Sequence, residues 1–265
     1  MSAPLLEVEG LEKRFARGGE GFAALDGVGF AISCGETLAL VGPSGSGKST
    51  VARILLRLVE ADAGSVRYDG TDLLGLEGTA LRAMRARLQM VFQDPLAAFN
   101  PRATVARLLD DPLRIHRIVP RGERTKAIAS LLERVGLPAE LAGRGVHEIS
   151  GGQRQRVAIA RALATKPSLI VLDEAVAALD VLVRADVLRL LAELQRQEGV
   201  AYLFISHDLG AVRAIAHRVA IMDAGRIVEQ GETSAVIAAP TSATGRALVA
   251  AAPELPRIAA KESAS

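Results

Sequence analysis

Thr37-Leu38-Ala39-Leu40-Val41-Gly42-Pro43-Ser44-Gly45-Ser46-Gly47-Lys48-Ser49-Thr50 decides how this chain is read. A short apolar run enters a loop of the form G-x-x-x-x-G-K-S. Residues 48–60 then carry apolar side chains at helical spacing (Val51, Ile54, Leu55, Leu58). Glycines in such a loop let backbone N–H groups turn inward around phosphate oxygens, and the following helix offers the positive end of its dipole. Lys48 is placed to reach the β- and γ-phosphates of a nucleotide, and Ser49 to hold a magnesium ion. Strand, loop and helix in this order are the setting a phosphate loop requires.

Outward from the loop the chain alternates between strands and helices. Residues 5–15 alternate apolar and polar side chains as a half-buried strand does; Gly18-Gly19-Glu20-Gly21 reads as a turn. Residues 31–33 and 37–41 read as strands around the Cys34-Gly35-Glu36 turn, and Tyr68-Asp69-Gly70 as a hairpin-like turn within 66–72. Residues 89–92 form another short strand. From 95 to 153 the pattern is helical, punctuated by Pro101, Pro112, Pro120 and Pro138, and 152–164 is a basic amphipathic helix. Strands are expected over 168–172, 202–205, 219–222 and 226–229, with helices over 181–198 and 209–216. Such alternation predicts an α/β fold with a mainly parallel sheet covered on both faces. Residues after about 235 are rich in Ala, Pro and Ser and read as a weak extension.

Composition narrows the classes. The chain has 265 residues, 49% of them apolar, and a formal net charge of +2, with no basic excess of the kind that marks nucleic-acid binders. A single cysteine, Cys34, forms neither an internal disulfide nor a metal cage; it reads as a buried, inert thiol in a reducing, cytosolic setting. Met1 to Glu7 has no signal-peptide pattern. No apolar run reaches the ~18 residues a spanning helix needs. The chain therefore reads as soluble, with any membrane role supplied through a partner.

Two strands end in polar clusters. Leu169-Ile170-Val171-Leu172 runs into Asp173-Glu174, and Phe204-Ile205 into Ser206-His207-Asp208. Carboxylates at the carboxyl end of a buried strand fit a ligand crevice. Asp173 is expected to hold magnesium through water, Glu174 to polarise the attacking water, and His207 to contact the γ-phosphate. Gln93, closing the strand before the helical stretch, is placed to meet magnesium or that water. His116, His147 and His217 have no such placement and read as structural or surface residues. Ile149-Ser150-Gly151-Gly152-Gln153 is a second anion-binding stretch at a helix start, about a hundred residues after the first. It suggests a site assembled from two chains, one contributing the loop and the other Ser150 to Gln153.

In this order the motifs resemble the nucleotide-binding subunit of an ABC transporter, from Leu6 to about Gly231. The resemblance implies a P-loop NTPase (RecA-like) core over 5–93 and 161–235. An N-terminal antiparallel β subdomain and an inserted helical signature subdomain over 94–160 complete the 5–235 domain, and 236–265 forms a short C-terminal extension. It implies ATP and Mg²⁺ as cofactors, Phe15 stacking on adenine, and Asp180 as the aspartate that communicates between two sites. It implies as partners a second ATPase subunit, head to tail and non-identical, two membrane permease subunits, and a periplasmic binding protein. The chain would sit peripherally at the cytoplasmic face of the inner membrane. Phe92-Gln93-Asp94-Pro95-Leu96, Asn100-Pro101-Arg102 and Gln153-Arg154-Gln155-Arg156-Val157 resemble the peptide/nickel import branch. Most members have Pro-Thr after the Asp-Glu pair, where this chain has Ala175-Val176; that departure resembles the nickel-import ATP-binding subunits. Nickel uptake is therefore the expected role, with import of di- or oligopeptides or another metal chelate as the alternative. A soluble ABC ATPase acting on ribosomes or DNA is more distant, because this chain has one cassette and a short insertion. A cassette that binds ATP without hydrolysing it conflicts with Glu174 and His207.

Overall fold

A computed structural model describes residues 3–17 and 20–252 and contains two sheets. The chain begins with β1 (Leu6–Arg17) and β2 (Glu20–Ile32), which pair antiparallel. Gly18 and Gly19 of the expected turn lie outside the described residues. The length of β2 was not legible, since only 31–33 was expected there. Gly27 (φ +73°) and the register shifts in the β1–β2 pair interrupt the period-2 pattern that would have shown it. β3 (Thr37–Val41) leads into α1 (Lys48–Leu55), which is shorter than the expected 48–60. β4 (Ala63–Tyr68) and β5 (Thr71–Asp72) form the hairpin expected at Asp69-Gly70, both of which have positive φ as the tight turn requires. The first sheet runs β2-β1-β4-β5, all antiparallel, as the expected N-terminal β part.

α2 (Gly78–Arg87) precedes β6 (Leu88–Val91). The helical stretch follows as α3 (Pro95–Ala98), α4 (Val105–Ile115), α5 (Arg124–Arg134) and α6 (Gly151–Leu163). β7 (Leu169–Asp173), α7 (Val181–Glu198), β8 (Ala201–Ile205), α8 (Leu209–Ile215), β9 (Arg218–Asp223) and β10 (Arg226–Glu232) complete the second sheet. Its order is β10-β9-β3-β8-β7-β6, parallel throughout except for β10. The expected α/β class with a mainly parallel sheet is what the chain adopts.

The pleat of the strands divides the core. Leu38, Leu40, Val171, Leu203 and Ile205 face α1 and the antiparallel sheet; Ala39, Val41, Ile170, Leu172, Tyr202 and Phe204 face α6, α7 and α8. Strands covered on both faces read as unbroken apolar runs, which is why β3, β7 and β8 were visible in the sequence.

Two expectations are corrected. Cys34 is exposed, because it tops the tight turn between β2 and β3 instead of lying on a strand face. The region after 235, expected as a weak extension, is folded through residue 252. It forms α9 (Thr233–Ala238) and α10 (Ala243–Ala251), and Leu248, Val249 and Ala252 pack on the core. A carboxylate holds it there: Glu229 accepts the N–H groups of Thr241 and Ser242 at 2.8 Å each and the Ser242 hydroxyl at 2.6 Å. Burial acts to raise its pKa, but these donors outweigh it and hold the carboxyl at about 2.

Candidate functional site

The parallel strand order places four loops side by side at the carboxyl ends of β3, β8, β7 and β6. They carry, in that order, the phosphate loop, His207, Asp173-Glu174 and Gln93. Residues far apart in sequence thus border one cleft of about 470 Å³, lined by Phe15, Ser44, Gly45, Gly47, Lys48, Ser49, Thr50, Gln93, Glu174 and His207 among others. The Arg17–Glu20 end of the β1–β2 pair forms its remaining wall through Phe15 and its cross-strand partner Phe22, 40% and 55% exposed. Two aromatic faces left open at the rim of a polar cleft suit a flat heterocycle. Phe22 was not anticipated; the only signal for it was the strand β2, which the glycines obscured.

The loop's shape depends on close backbone approach. A side chain at Gly42 (φ +154°) would put its Cβ 2.1 Å from the Met222 carbonyl, and one at Gly47 (φ +107°) would meet the Ala24 carbonyl at 2.5 Å. Gly47 also serves as the cap residue of α1, with no side chain bonding the first-turn N–H groups. The Thr50 N–H bonds the Gly47 carbonyl at 2.9 Å, and the Lys48 and Ser49 N–H groups before it are the ones the helix start offers to an anion. Lys48 is 8% exposed and donates to the carbonyls of Gly42 and Pro43 at 2.9 and 2.8 Å and to Ser46 Oγ at 3.1 Å. Burial holds its ammonium below the usual lysine range, partly offset by the nearby charges of Glu174 and Asp173. Gly42, Pro43 and Ser46 thus support the cleft from behind. Among the described residues the lysine is a buried cation without a close ion-pair partner, which favours a polyanionic ligand.

Ser49 Oγ donates to Asp173 Oδ1 at 3.3 Å. Burial raises the Asp173 carboxyl above its usual range, the Ser49 hydroxyl opposes this, and Glu174 adds to it. Two hard oxygen donors in contact, with the Gln93 amide on the same cleft, fit a magnesium ion carried on a nucleotide's phosphates. Glu174 sits at φ +51°, a left-handed backbone that a non-glycine residue adopts at a cost, and its side chain is 17% exposed. Its Oε2 lies 2.7 Å from His207 Nδ1 without hydrogen-bond alignment, so a buried carboxylate oxygen lacks a donor among the described residues. A water in the cleft would satisfy it. His217, read as structural, does hold the fold: its Nδ1 accepts the Thr37 N–H at 3.0 Å.

The other expected residues are elsewhere. Ser150, Gly151, Gly152 and Gln153 form the N-terminus of α6 and are not among the residues that line the cleft. Ser150 Oγ accepts the Gln153 N–H at 3.2 Å and Gln153 Oε1 accepts the Ser150 N–H at 2.9 Å, a reciprocal capping box. Asp180 caps α7 through the Val183 N–H at 3.0 Å and is followed by Val181 and Leu182, 76% and 79% exposed. Val183 in turn lies against Gly152, where a Cβ would come within 2.6 Å of Val183 Cγ1. The Ser150 and Asp180 stretches therefore make one surface, separate from the cleft.

The model of the ABC transporter family matches residues 25–177. The probable peptide ABC transporter ATP-binding protein y4tS of Sinorhizobium fredii is 48% identical over 260 residues, which is 96% of this chain and 74% of that protein. The glutathione import ATP-binding protein GsiA of Salmonella paratyphi A is 49% identical over 257 residues, 94% of this chain but 41% of that protein. Among solved structures, cbiO1 from Clostridium perfringens, part of the ABC transporter complex cbiONQ, superposes with a TM-score of 0.79 at 28% identity, covering 89% of this chain and 92% of that one. The ATP-binding cassette MJ0796, in a dimeric post-hydrolysis state bound to ADP and Pi, does so at 0.77 and 29% identity, covering 86% and 98%.

Proposed function

We propose, for a chain that belongs to the ABC transporter family and is an ATP-binding subunit of an importer, the following division of work among its residues. The observation that carries it is the separation of two anion-ready helix starts: α1 opens on the cleft, while α6 opens on a different surface of the same chain. One subunit then supplies Lys48, Ser49 and Thr50, and another supplies Ser150 to Gln153 over the same nucleotide. The helical part, 94–160, moves against the parts 5–93 and 161–235 when the two subunits close, with 236–265 as an extension.

Phe15 and Phe22 hold the adenine, and the backbone of Gly42 to Gly47 with Lys48 holds the phosphates. Ser49, Asp173 and Gln93 would hold magnesium, which offsets charge on the phosphate oxygens. Glu174 Oε2 accepts a proton of the attacking water and aims it in line, and His207 keeps that water and the terminal phosphate in register. Catalysis of this kind is mostly positioning and charge stabilisation.

Coupling to a membrane partner has its own feature. Between the end of α1, β6 and α4 lies a second cleft lined by Leu58, Phe92 and Ile115, each more than a third exposed. Phe92 adjoins Gln93, so a permease loop seated there would sense the nucleotide cleft. No helix among the described residues is long and apolar enough to cross a membrane, which fits peripheral attachment through permease subunits at the cytoplasmic face of the inner membrane.

For the cargo, a peptide is favoured over nickel. The transporter proteins y4tS and GsiA handle peptide or glutathione by their descriptions, and the nickel expectation rested on family likeness alone, at Ala175-Val176, in overall length and in residues 222–229 and 245–248. The deciding experiment purifies the chain with the permeases and binding protein that accompany it and reconstitutes them in vesicles. ATP-driven uptake of labelled glutathione or short peptides, lost in Lys48→Ala, supports the reading; uptake of nickel alone restores the other cargo; absence of accompanying permeases and presence of ribosomes overturns both.

A further inference from the structure

Behind the cleft, one side chain is bonded to two of the loops that shape it. Arg184, in the first turn of α7, donates from Nη2 to the Leu179 carbonyl at 3.0 Å and pairs through Nη1 with Asp208 Oδ2. Leu179 closes the turn that starts at Glu174. Asp208 follows His207 directly. Its second oxygen, Oδ1, accepts the N–H groups of Gly210 and Ala211 at 2.8 and 3.2 Å, and its own N–H donates to Ser206 Oγ at 3.0 Å. The backbone on the carboxyl side of His207 is thus held at three points. The imidazole itself is 65% exposed, and its one close polar neighbour among the described residues is the unaligned Glu174 oxygen. The sheet ladder already ties the Glu174 N–H to the Ile205 carbonyl at 2.9 Å, which places the starts of the two loops; beyond those starts, the Arg184 bridge joins the Leu179 end of one loop to Asp208, next to His207, in the other.

We propose that Arg184 is a positioning residue for His207: it locks the Leu179 end of the 174–180 turn to Asp208 and so sets the imidazole against the Glu174 carboxylate. The inference rests on the roles given above to His207 and Glu174. The chemistry requires an arginine. Two acceptors in different directions, a carbonyl and a carboxylate, are met at once by the planar fork of a guanidinium, which an ammonium cannot reproduce. Both partners are 28% exposed, and Arg184 Nε is buried without an acceptor among the described residues. A pair present only for stability would gain little from an arrangement that leaves a donor unmet. The same turn of α7 carries Val183 against Gly152, so the bridge starts from the surface that the proposed function offers to the partner subunit.

The test compares Arg184→Met, Arg184→Lys and Asp208→Asn with His207→Ala, each in the intact chain. Asparagine still caps α8, so Asp208→Asn breaks the bridge while keeping that helix start. Arg184→Met and Asp208→Asn are expected to lower kcat about tenfold with KM for ATP held within about twofold, and lysine to restore only part of it. Arg184→Met added to His207→Ala is expected to cost nothing further. Independently, the imidazole resonance that His207→Ala removes should move in Arg184→Met and Asp208→Asn while those of His116, His147 and His217 stay. Wild-type turnover by Arg184→Met, an unmoved His207 resonance, or a full additional loss in the double variant overturns the proposal. Wild-type turnover by His207→Ala overturns the role of His207 as well, so the two failures are distinct.

Discussion

Two helix N-termini in this chain are suited to phosphate, and they are built by opposite means. α1 begins at a glycine with no side-chain cap, beside a lysine drawn almost wholly into the loop. α6 begins at Ser150 and closes its own end with a capping box. In the first, glycine is demanded by the chain's own backbone, whose carbonyls would stand 2.1 Å from a Cβ at Gly42 and 2.5 Å from one at Gly47. In the second, Gly152 is demanded by Val183, but nothing lies within 4 Å of a Cβ at Gly151. A glycine that the fold does not need leaves room for something outside the chain. The difference teaches that one terminus is built into a cleft with ionisable groups around it, while the other opens on the surface of the chain, where the proposed function seats a second subunit.

The comparison can be broken at several points. Glu174→Gln should lower steady-state phosphate release by about a hundredfold or more while calorimetry shows ATP still bound, because only the base is lost; normal turnover would remove the cleft's claim to the chemistry. Lys48→Ala should weaken ATP binding by roughly ten- to a hundredfold, the worth of about 1.5–3 kcal/mol for hydrogen bonds to a charged group. Unchanged affinity would mean the nucleotide binds elsewhere.

Glycine substitutions sharpen the contrast itself. Gly152→Ala should cost about 1–3 kcal/mol of stability by overpacking against Val183, read as a fall in Tm. Gly151→Ala should leave Tm unchanged or raise it, as alanine favours a helix by about 0.5–1 kcal/mol. It should nevertheless reduce hydrolysis in the assembled pair. Equal stability losses, or unimpaired hydrolysis by Gly151→Ala, would show that the α6 surface serves this chain alone.

The smallest effect concerns the C-terminal helix. Glu229 titrates near 2 in the fold against an ordinary value of 4.5. With the folded value depressed, its contribution is complete above 4.5 and fades as pH falls towards 2. Amide exchange in α10 should therefore rise between pH 4.5 and 2 before exchange in β3 or β8 does, and Glu229→Gln should show the same loosening at neutral pH. A pH-independent α10 would assign its docking to the apolar contacts of Leu248, Val249 and Ala252 and to the Thr244–Asp223 hydrogen bond.

Most of the cleft was legible because its residues sit in short contiguous motifs whose chemistry is local. The phosphate loop, Asp173-Glu174 and His207 each end an apolar run, and an apolar run followed by polar residues is what a buried parallel strand reaching solvent looks like. Phe22 was missed because Gly27 and the irregular register of β1 and β2 disrupt alternation along its strand. Cys34 was misjudged because burial depends on which end of a strand a turn caps, and composition does not report that. Arg184 and Asp208 were passed over for a related reason: each looks like an ordinary surface charge until α7 and the end of β8 are brought together.

By itself the amino-acid sequence determined the nucleotide chemistry, the α/β class and the presence of a second anion-ready helix start. Each of these rests on side chains and glycines within a dozen residues of one another. Only the tertiary structure decided that Phe22 joins Phe15 on the cleft, that α10 is clasped to the sheet by Glu229, and that Ser150 to Gln153 lies away from Lys48. It also decided that Arg184 ties Leu179 to Asp208. Those outcomes depend on strand order and helix packing, which bring together positions separated by many residues, and no local pattern carries that information.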